Sequence, residues 1–514
     1  MLSLLTLGFL ILTCLYLINK WLRGKFSFWS ERGVITPPVN LGWGNYQEVI
    51  LQKKSFSQAL HEFYKLFKAK GVLHGGLYSF TSPIYMPVDI NIVKNIMQND
   101  FDHFVDRGFY VNQEDDPLSA NLFTLEENKW RYLRSKLTPA FSSAKLKMMY
   151  ETLLKCTKDL EDALEEYDGK YLDVKEFIAR FTINVIGSCA FGIECNCLKE
   201  PNNEFRLNGS TFFNRTFFEN VKLYFSDVFP GIMKKLHVRV CRPSTIKFFE
   251  RLTRETIEYR EENNIIRKDF MHLLIQLKNS GKLIESEEVG NIGKSENGET
   301  ISFADLVGQA YVFFLAGYET PSNTISFTLY FLSVFKEVQE KCRKEIKTVL
   351  DKYGGKLTYQ AVIELHYLES VINESMRYYP PVHVLNRVCT KDYQVPGSDL
   401  LLRKGQKVLI PVLGIQRDEE YYPDPDTFNP ERFSDENSTG RNPATFLPFG
   451  IGPRNCIGLR FGMVQVKTTI VSIIDNYEIS LNKKTKYPLE FDTGHPLTLS
   501  PKGGIWLNLK KIEK

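Results

Sequence analysis

One thiol in this chain is set apart by its neighbours. The segment Phe449-Gly450-Ile451-Gly452-Pro453-Arg454-Asn455-Cys456-Ile457-Gly458 crowds three glycines, a proline and an arginine around Cys456, and Leu459 onward reads as a helix. A cysteine just before a helix N-terminus and beside a guanidinium is expected to have its thiolate stabilised by dipole and charge. Glycines let the backbone approach a flat ligand and aim N–H groups at the sulfur. Gly450-x-Gly452 is half of a dinucleotide fingerprint, but the third glycine and the preceding strand are missing, so that reading is rejected.

Three further constellations carry chemistry. Ala316-Gly317-Tyr318-Glu319-Thr320 interrupts an apolar run from Phe303 to Phe335, where a glycine and an acid–alcohol pair cost helix stability or burial energy. A packing glycine with a back-bonded threonine is the structural alternative. Pro321 cannot donate to the carbonyl of Gly317, which predicts a kinked or widened helix there. Trp130 and Arg134 put an indole donor and a guanidinium on one helical face, and Glu374 and Arg377 do the same with opposite charges.

Together these motifs resemble the cytochrome P450 superfamily, whose haem-thiolate signature is met at every fixed position from Phe449 to Gly458. The resemblance implies a mainly α fold with small β-sheets and haem b held by Cys456 as axial thiolate, which favours O–O cleavage. It implies propionate partners at Trp130, Arg134, Arg454, Arg387 and Arg107, with Phe449 beside the cofactor. At the distal side it assigns Gly317 to leaving room beside iron, Thr320 to the oxygen-activation site and Glu319 to proton delivery. It joins Glu374 and Arg377 to Arg432, within Pro430 to Phe433, as a structural triad.

The rest of the chain must carry these groups. Its 514 residues would suggest about three domains at ~150 residues each, yet no internal repeat or domain break is visible, and one mainly helical body is expected. A composition 43% hydrophobic and 25% charged excludes a disordered or fibrous chain. A net charge of only +4 gives no support for nucleic-acid binding. Nine cysteines without framework spacing read as reduced thiols, and no zinc site is expected at Cys195 and Cys197. Met1 to Asn19 has no charged side chain and is followed by Lys20, Arg23 and Lys25, which predicts a transmembrane signal anchor over residues 1–22 with a cytosolic body. Residues 23–40, basic and with Pro37 and Pro38, read as a linker, and 41–514 as the catalytic domain. The sequons at Asn208 and Asn214 would then face the cytosol. Leu77–Phe80 and Ile84–Val88 predict a hairpin, and Asn279–Gly298 a mobile surface loop.

Ile186 to Asn196, Tyr421-Tyr422-Pro423 and Arg460-Phe461-Gly462 are similar to an insect microsomal branch, family six, associated with oxidation of plant defence chemicals and insecticides. By family position the substrate pocket draws on Phe123, Phe313, Ala316, Thr320, Val382, Val384 and Leu385, with Leu497 as a weaker candidate, and its apolar character implies a lipophilic substrate. His383, the odd member of that stretch, is expected to face solvent or a hydrogen-bond partner. No flavin or nicotinamide fingerprint occurs, so the resemblance implies electrons from NADPH through NADPH–cytochrome reductase, with cytochrome b5 as a second donor, at the endoplasmic reticulum membrane. Lys129, Arg131, Lys136, Lys145 and Lys147 could steer an acidic partner. The expected reaction puts one atom of O2 into the substrate. A haem-thiolate isomerase or dehydratase, a hormone or lipid hydroxylase, and a haem-binding sensor are the alternatives; Glu319 and Thr320 favour oxygenation over isomerisation.

Overall fold

The computed structural model describes residues 2–267, 269–280, 301–495 and 497–513. The loop expected at Asn279–Gly298 lies, beyond its first two residues, outside them.

Helices dominate because apolar residues recur at three- and four-residue spacing through the middle of the chain. The longest, Phe303–Val334, starts at a capping box between Ser302 and Asp305 and is buried on nearly every face beyond Tyr318. Around it pack the helices Val174–Ile186, His366–Tyr378 and Leu459–Ile474. Phe327, Tyr330 and Phe331 join the aromatic and aliphatic side chains of these neighbours in one core. Nearer its N-terminal end, Val307, Tyr311 and Phe314 belong to a second core with Phe205, Phe249 and Leu274.

Three small sheets complete the body. The predicted hairpin is present as His74–Ser79 paired antiparallel with Ser82–Pro87. Lys407–Ile410 adds parallel to its second strand, and Leu385–Val388 pairs antiparallel beyond that. Tyr171–Asp173, Trp506–Lys511 and Tyr477–Leu481 make an antiparallel three-stranded sheet, and Tyr393–Gln394 with Leu401–Leu402 a short ribbon. The four-stranded sheet anchors a third core containing Trp29, Tyr46, Leu77 and Ile410.

The N-terminal helix Leu2–Phe26 is long and apolar enough to cross a membrane, and none of its apolar window is buried in the body. Packing begins inside the expected linker. Trp29 is fully buried and its indole N–H donates to the Leu77 carbonyl at 3.0 Å, so the chain is tied to the sheet within a few residues of the helix end.

The helix through Pro321 corrects one expectation. Phe303–Val334 is continuous α-helix, with neither a break nor a widened turn at Gly317. Losing one N–H does not open it, because the flanking turns are held by packing and by hydroxyls that bond back along the helix, Thr320 to Ala316 at 2.8 Å and Thr324 to Thr320 at 2.9 Å.

Candidate active site

The cysteine segment is shaped by two glycines with positive φ, Gly450 (65°) and Gly452 (75°). A side chain at Gly452 would lie 2.0 Å from the Met97 carbonyl oxygen, so that position admits no larger residue. The Cys456 amide donates to Phe449 O at 2.8 Å and closes the loop just before the Leu459–Ile474 helix. Cys456 is exposed while the other described cysteines of the body are buried. Burial of its surroundings nonetheless pushes its thiol up, outweighing the Gly458 amide and the charges of Arg134 and Arg107, which pull the other way. The residue is thus accessible although its surroundings are largely protein. The expected stabilisation of the thiolate is present but is not the larger effect in the protein alone.

Around this loop the structure gathers the arginines. Arg134 grips Asn455 twice, at the carbonyl and at Oδ1, each at 2.9 Å, and so pins the residue beside Cys456. Arg454 donates to the carbonyls of Val105 and Leu125, lies 3.7 Å from Asp106 and stacks over Trp130 at 4.6 Å. Arg107 donates to the Arg454 carbonyl at 3.1 Å and stacks on Phe123 at 4.0 Å. Arg387 donates to the Asn386 carbonyl at 2.8 Å, and among the described residues its Nε has no partner, nor does Nε of Arg454. Desolvation, then mutual repulsion, pulls Arg107 and Arg387 below the ordinary arginine range. Guanidinium does not give up its proton in proteins, so this strain appears as a demand for anions. Asp106 and Glu126 are the carboxylates that oppose these charges at Arg454. A flat dianion with two carboxylates, placed against a thiol, satisfies that demand. Haem fits these residues.

The helix Phe303–Val334 supplies the opposite wall. Ala316 and Thr320 face a cavity of about 290 Å³ that is also lined by Phe123, Val382, Val384, Leu385 and Leu497, as expected. Phe313 does not line it. Its ring centroid lies 3.9 Å from Phe270 and 5.6 Å from Phe141, and Val312, one turn before Ala316, takes the wall position. At Gly317 a side chain would meet Ile186 Cδ1 at 2.4 Å, so its missing Cβ makes room for the neighbouring helix. The His383 ring is neither solvent-facing nor, among the described residues, hydrogen-bonded, although the backbone carbonyl accepts from the Leu413 amide at 3.5 Å. The residue is 1% exposed, both ring nitrogens lack partners, its ring meets Phe56 edge-on at 5.9 Å, and burial pushes its pKa down to about 3.

Glu319 is 3% exposed and turned from the cavity toward Lys175, whose Nζ lies 3.1 Å from Oε1 and 3.2 Å from Ser322 Oγ. Asn323 Nδ2 donates to the same oxygen at 3.2 Å. Lys175, 144 positions away, was missed by sequence reasoning because nothing local marks it.

The predicted triad is assembled away from the cavity. Arg377 donates to Glu374 through Nε at 2.7 Å and Nη2 at 2.8 Å, and Arg432 Nε lies 3.5 Å from the same carboxylate. Gln416, also missed, connects this cluster to the cysteine segment. Its amide donates to the carbonyls of Met376 at 2.9 Å and Arg377 at 3.1 Å, and accepts from Leu447 N at 2.8 Å.

Comparison with known proteins agrees with this geometry. The family model described as Cytochrome P450 matches residues 37–508. The chain is 42% identical to cytochrome P450 6k1 of Blattella germanica, over 95% of this chain and 93% of that protein. It is 37% identical to probable cytochrome P450 6d5 of Drosophila melanogaster, over 98% and 99%, and 38% identical to cytochrome P450 6a9 of the same fly, over 97% of each. With a cysteine loop ringed by anion-seeking arginines, a distal helix across the cleft and this likeness over nearly its whole length, the chain belongs to the cytochrome P450 family.

Proposed function

We propose that this protein is a membrane-anchored monooxygenase that inserts one atom of O2 into a lipophilic small molecule, a plant allelochemical or insecticide being the favoured class, with electrons drawn from NADPH through a partner reductase. The observation that carries the reading is the continuity of the anion-seeking cluster of Arg107 and Arg387 with the apolar cavity under Thr320. Bound haem, held by Cys456, would supply the activation of O2. The chain's own residues do the rest. Arg107, Arg387 and Arg454 would hold the propionates, and Arg134 fixes the cysteine loop through Asn455. Phe123, Val312, Val382, Val384 and Leu385 exclude water and hold an apolar substrate. Thr320 lines the cavity with its hydroxyl bonded back to the Ala316 carbonyl at 2.8 Å, and Glu319, held by Lys175 on the far side of the helix, would relay protons from there.

The helix Leu2–Phe26 would place the body at the endoplasmic reticulum membrane. Reductase, with cytochrome b5 as second donor, would dock near Trp130, where Lys129 and Lys147 are exposed and Arg131 is already paired with Asp102 at 2.5 Å. The test is the carbon-monoxide difference spectrum of the reduced, haem-loaded protein beside Cys456→Ser. A strongly red-shifted Soret band in wild type alone supports thiolate ligation. Its absence in well-folded wild-type protein would sink the reading.

A further inference from the structure

The cavity has a second end. Besides the wall on the Phe303–Val334 helix, it is lined by Tyr46 and Tyr224, which belong to or pack against the third core, by Lys407 of the four-stranded sheet, and by Asp227. Tyr46 is 2% exposed, borders the cavity, and its hydroxyl has no hydrogen-bond partner among the described residues. A buried hydroxyl left unpaired is destabilising unless something visits it. Asp227, on the helix Phe217–Val228, is a carboxylate in the same lining. Its Oδ1 accepts the Tyr110 N–H at 3.2 Å, and its backbone carbonyl accepts from Lys407 Nζ. Desolvation raises the pKa of Asp227, and Tyr46, Tyr224, Asp227 and Lys407 are successive electrostatic neighbours.

We propose that this end of the cavity is a recognition subsite for a neutral hydroxyl group, an alcohol or phenol carried on the lipophilic substrate at the end remote from the oxidised position. A hydroxyl both donates and accepts, so it can give its proton to Asp227 and take one from Tyr46. A carboxylate ligand would face Asp227. A quaternary cation would face Lys407 and could donate no hydrogen bond to Asp227. An ether would use Tyr46 alone. The subsite deepens the function proposed above and rests on it.

The test uses the full-length, haem-loaded protein and four ten-carbon probes: 1-decanol, decyl methyl ether, decanoate and decyltrimethylammonium. Affinities are read by equilibrium dialysis, which does not depend on turnover. In wild type the alcohol binds about tenfold more tightly than the ether, the expected gain from one added hydrogen bond, and both charged probes bind more weakly. Asp227→Asn keeps an acceptor for Tyr110 but removes the carboxylate, and brings the alcohol-to-ether ratio toward one. Tyr46→Phe weakens alcohol and ether together and leaves their ratio in place. Equal affinity of alcohol and ether in wild type, a ratio that survives Asp227→Asn, or tighter binding of either charged probe overturns the subsite. If the alcohol preference is found but no probe is oxidised with reductase and NADPH, the proposed reaction fails and the subsite stands. If the ether is oxidised without any alcohol preference, the subsite alone falls.

Discussion

Two buried arginine clusters stand in this molecule, and they are built on opposite principles. Around Glu374, the carboxylate accepts two bonds from Arg377 and one from the Asn429 amide, while the remaining donors of Arg377 reach the carbonyls of Gln416 and Pro425 at 2.9 and 3.0 Å. Both side chains are fully buried and every charge has its partner inside the protein. Around Cys456, Arg387 and Arg454 are almost as deeply buried, at 1% and 2% exposure, yet each has an unpartnered Nε and each is pulled down chiefly by desolvation. The first cluster is satisfied at its centre, with Arg432 Nε at its rim lacking a hydrogen bond among the described residues, and is therefore structural. The second is incomplete and therefore asks for a ligand. Burial and residue type are the same in both; the difference is whether the counter-charge belongs to the chain.

That difference can be broken by mutation, and the largest effect belongs to the closed cluster. Glu374→Gln leaves the Arg377 guanidinium buried with no opposing charge, and breaking such a pair costs about 3–5 kcal/mol. Urea unfolding should show that loss, and expression should yield little protein able to retain haem. Unchanged unfolding would mean that the buried pair is dispensable. At the open cluster the same kind of change acts in opposite directions on two states. Arg387→Met removes a like charge and an unpartnered donor, so the haem-free protein should melt at a higher temperature. The haem-loaded protein should release its cofactor about tenfold faster, the effect of losing one charge-assisted hydrogen bond. Transfer of haem to an apo-globin acceptor reads the second quantity. A variant less stable without haem would show that Arg387 is structural after all.

Legibility in the sequence followed the same division. The cysteine segment was readable because its parts are contiguous: ten residues hold the glycines, the arginine and the thiol. The hairpin was readable because strand periodicity flanks a turn. The distal helix was readable as a helix but not as a rotated one. Long stretches of it are buried all round, so the apolar pattern carries no phase. Family position stood in for phase, and it put Phe313 at the cavity where Val312 stands. Lys175 and Gln416 were invisible for another reason. Each gains meaning only from a partner distant in the chain, such as the Glu319 carboxylate or the Leu447 amide.

The smallest effect comes from the rim of the closed cluster, and it distinguishes a completed cluster from one that is merely crowded. Arg432 approaches Glu374 at 3.5 Å, its side chain is 12% exposed, and its Nη2 donates to the Asp424 carbonyl at 2.9 Å. Because Arg377 already satisfies the carboxylate with two short bonds, a second cation adds little Coulomb energy, and solvent at the rim screens it further. Arg432→Met should therefore cost about 1 kcal/mol in urea unfolding, mostly from the released Pro430–Phe433 turn, which Arg432 fastens to Asp424. Haem release should not change. If Arg432→Met instead matched Glu374→Gln in unfolding, the carboxylate would need both guanidinium groups, and the closed cluster would be balanced by three charges rather than two. If it accelerated haem loss, the path through Gln416 to Leu447 would transmit strain from the triad to the cysteine loop, and the two clusters would be one mechanical unit.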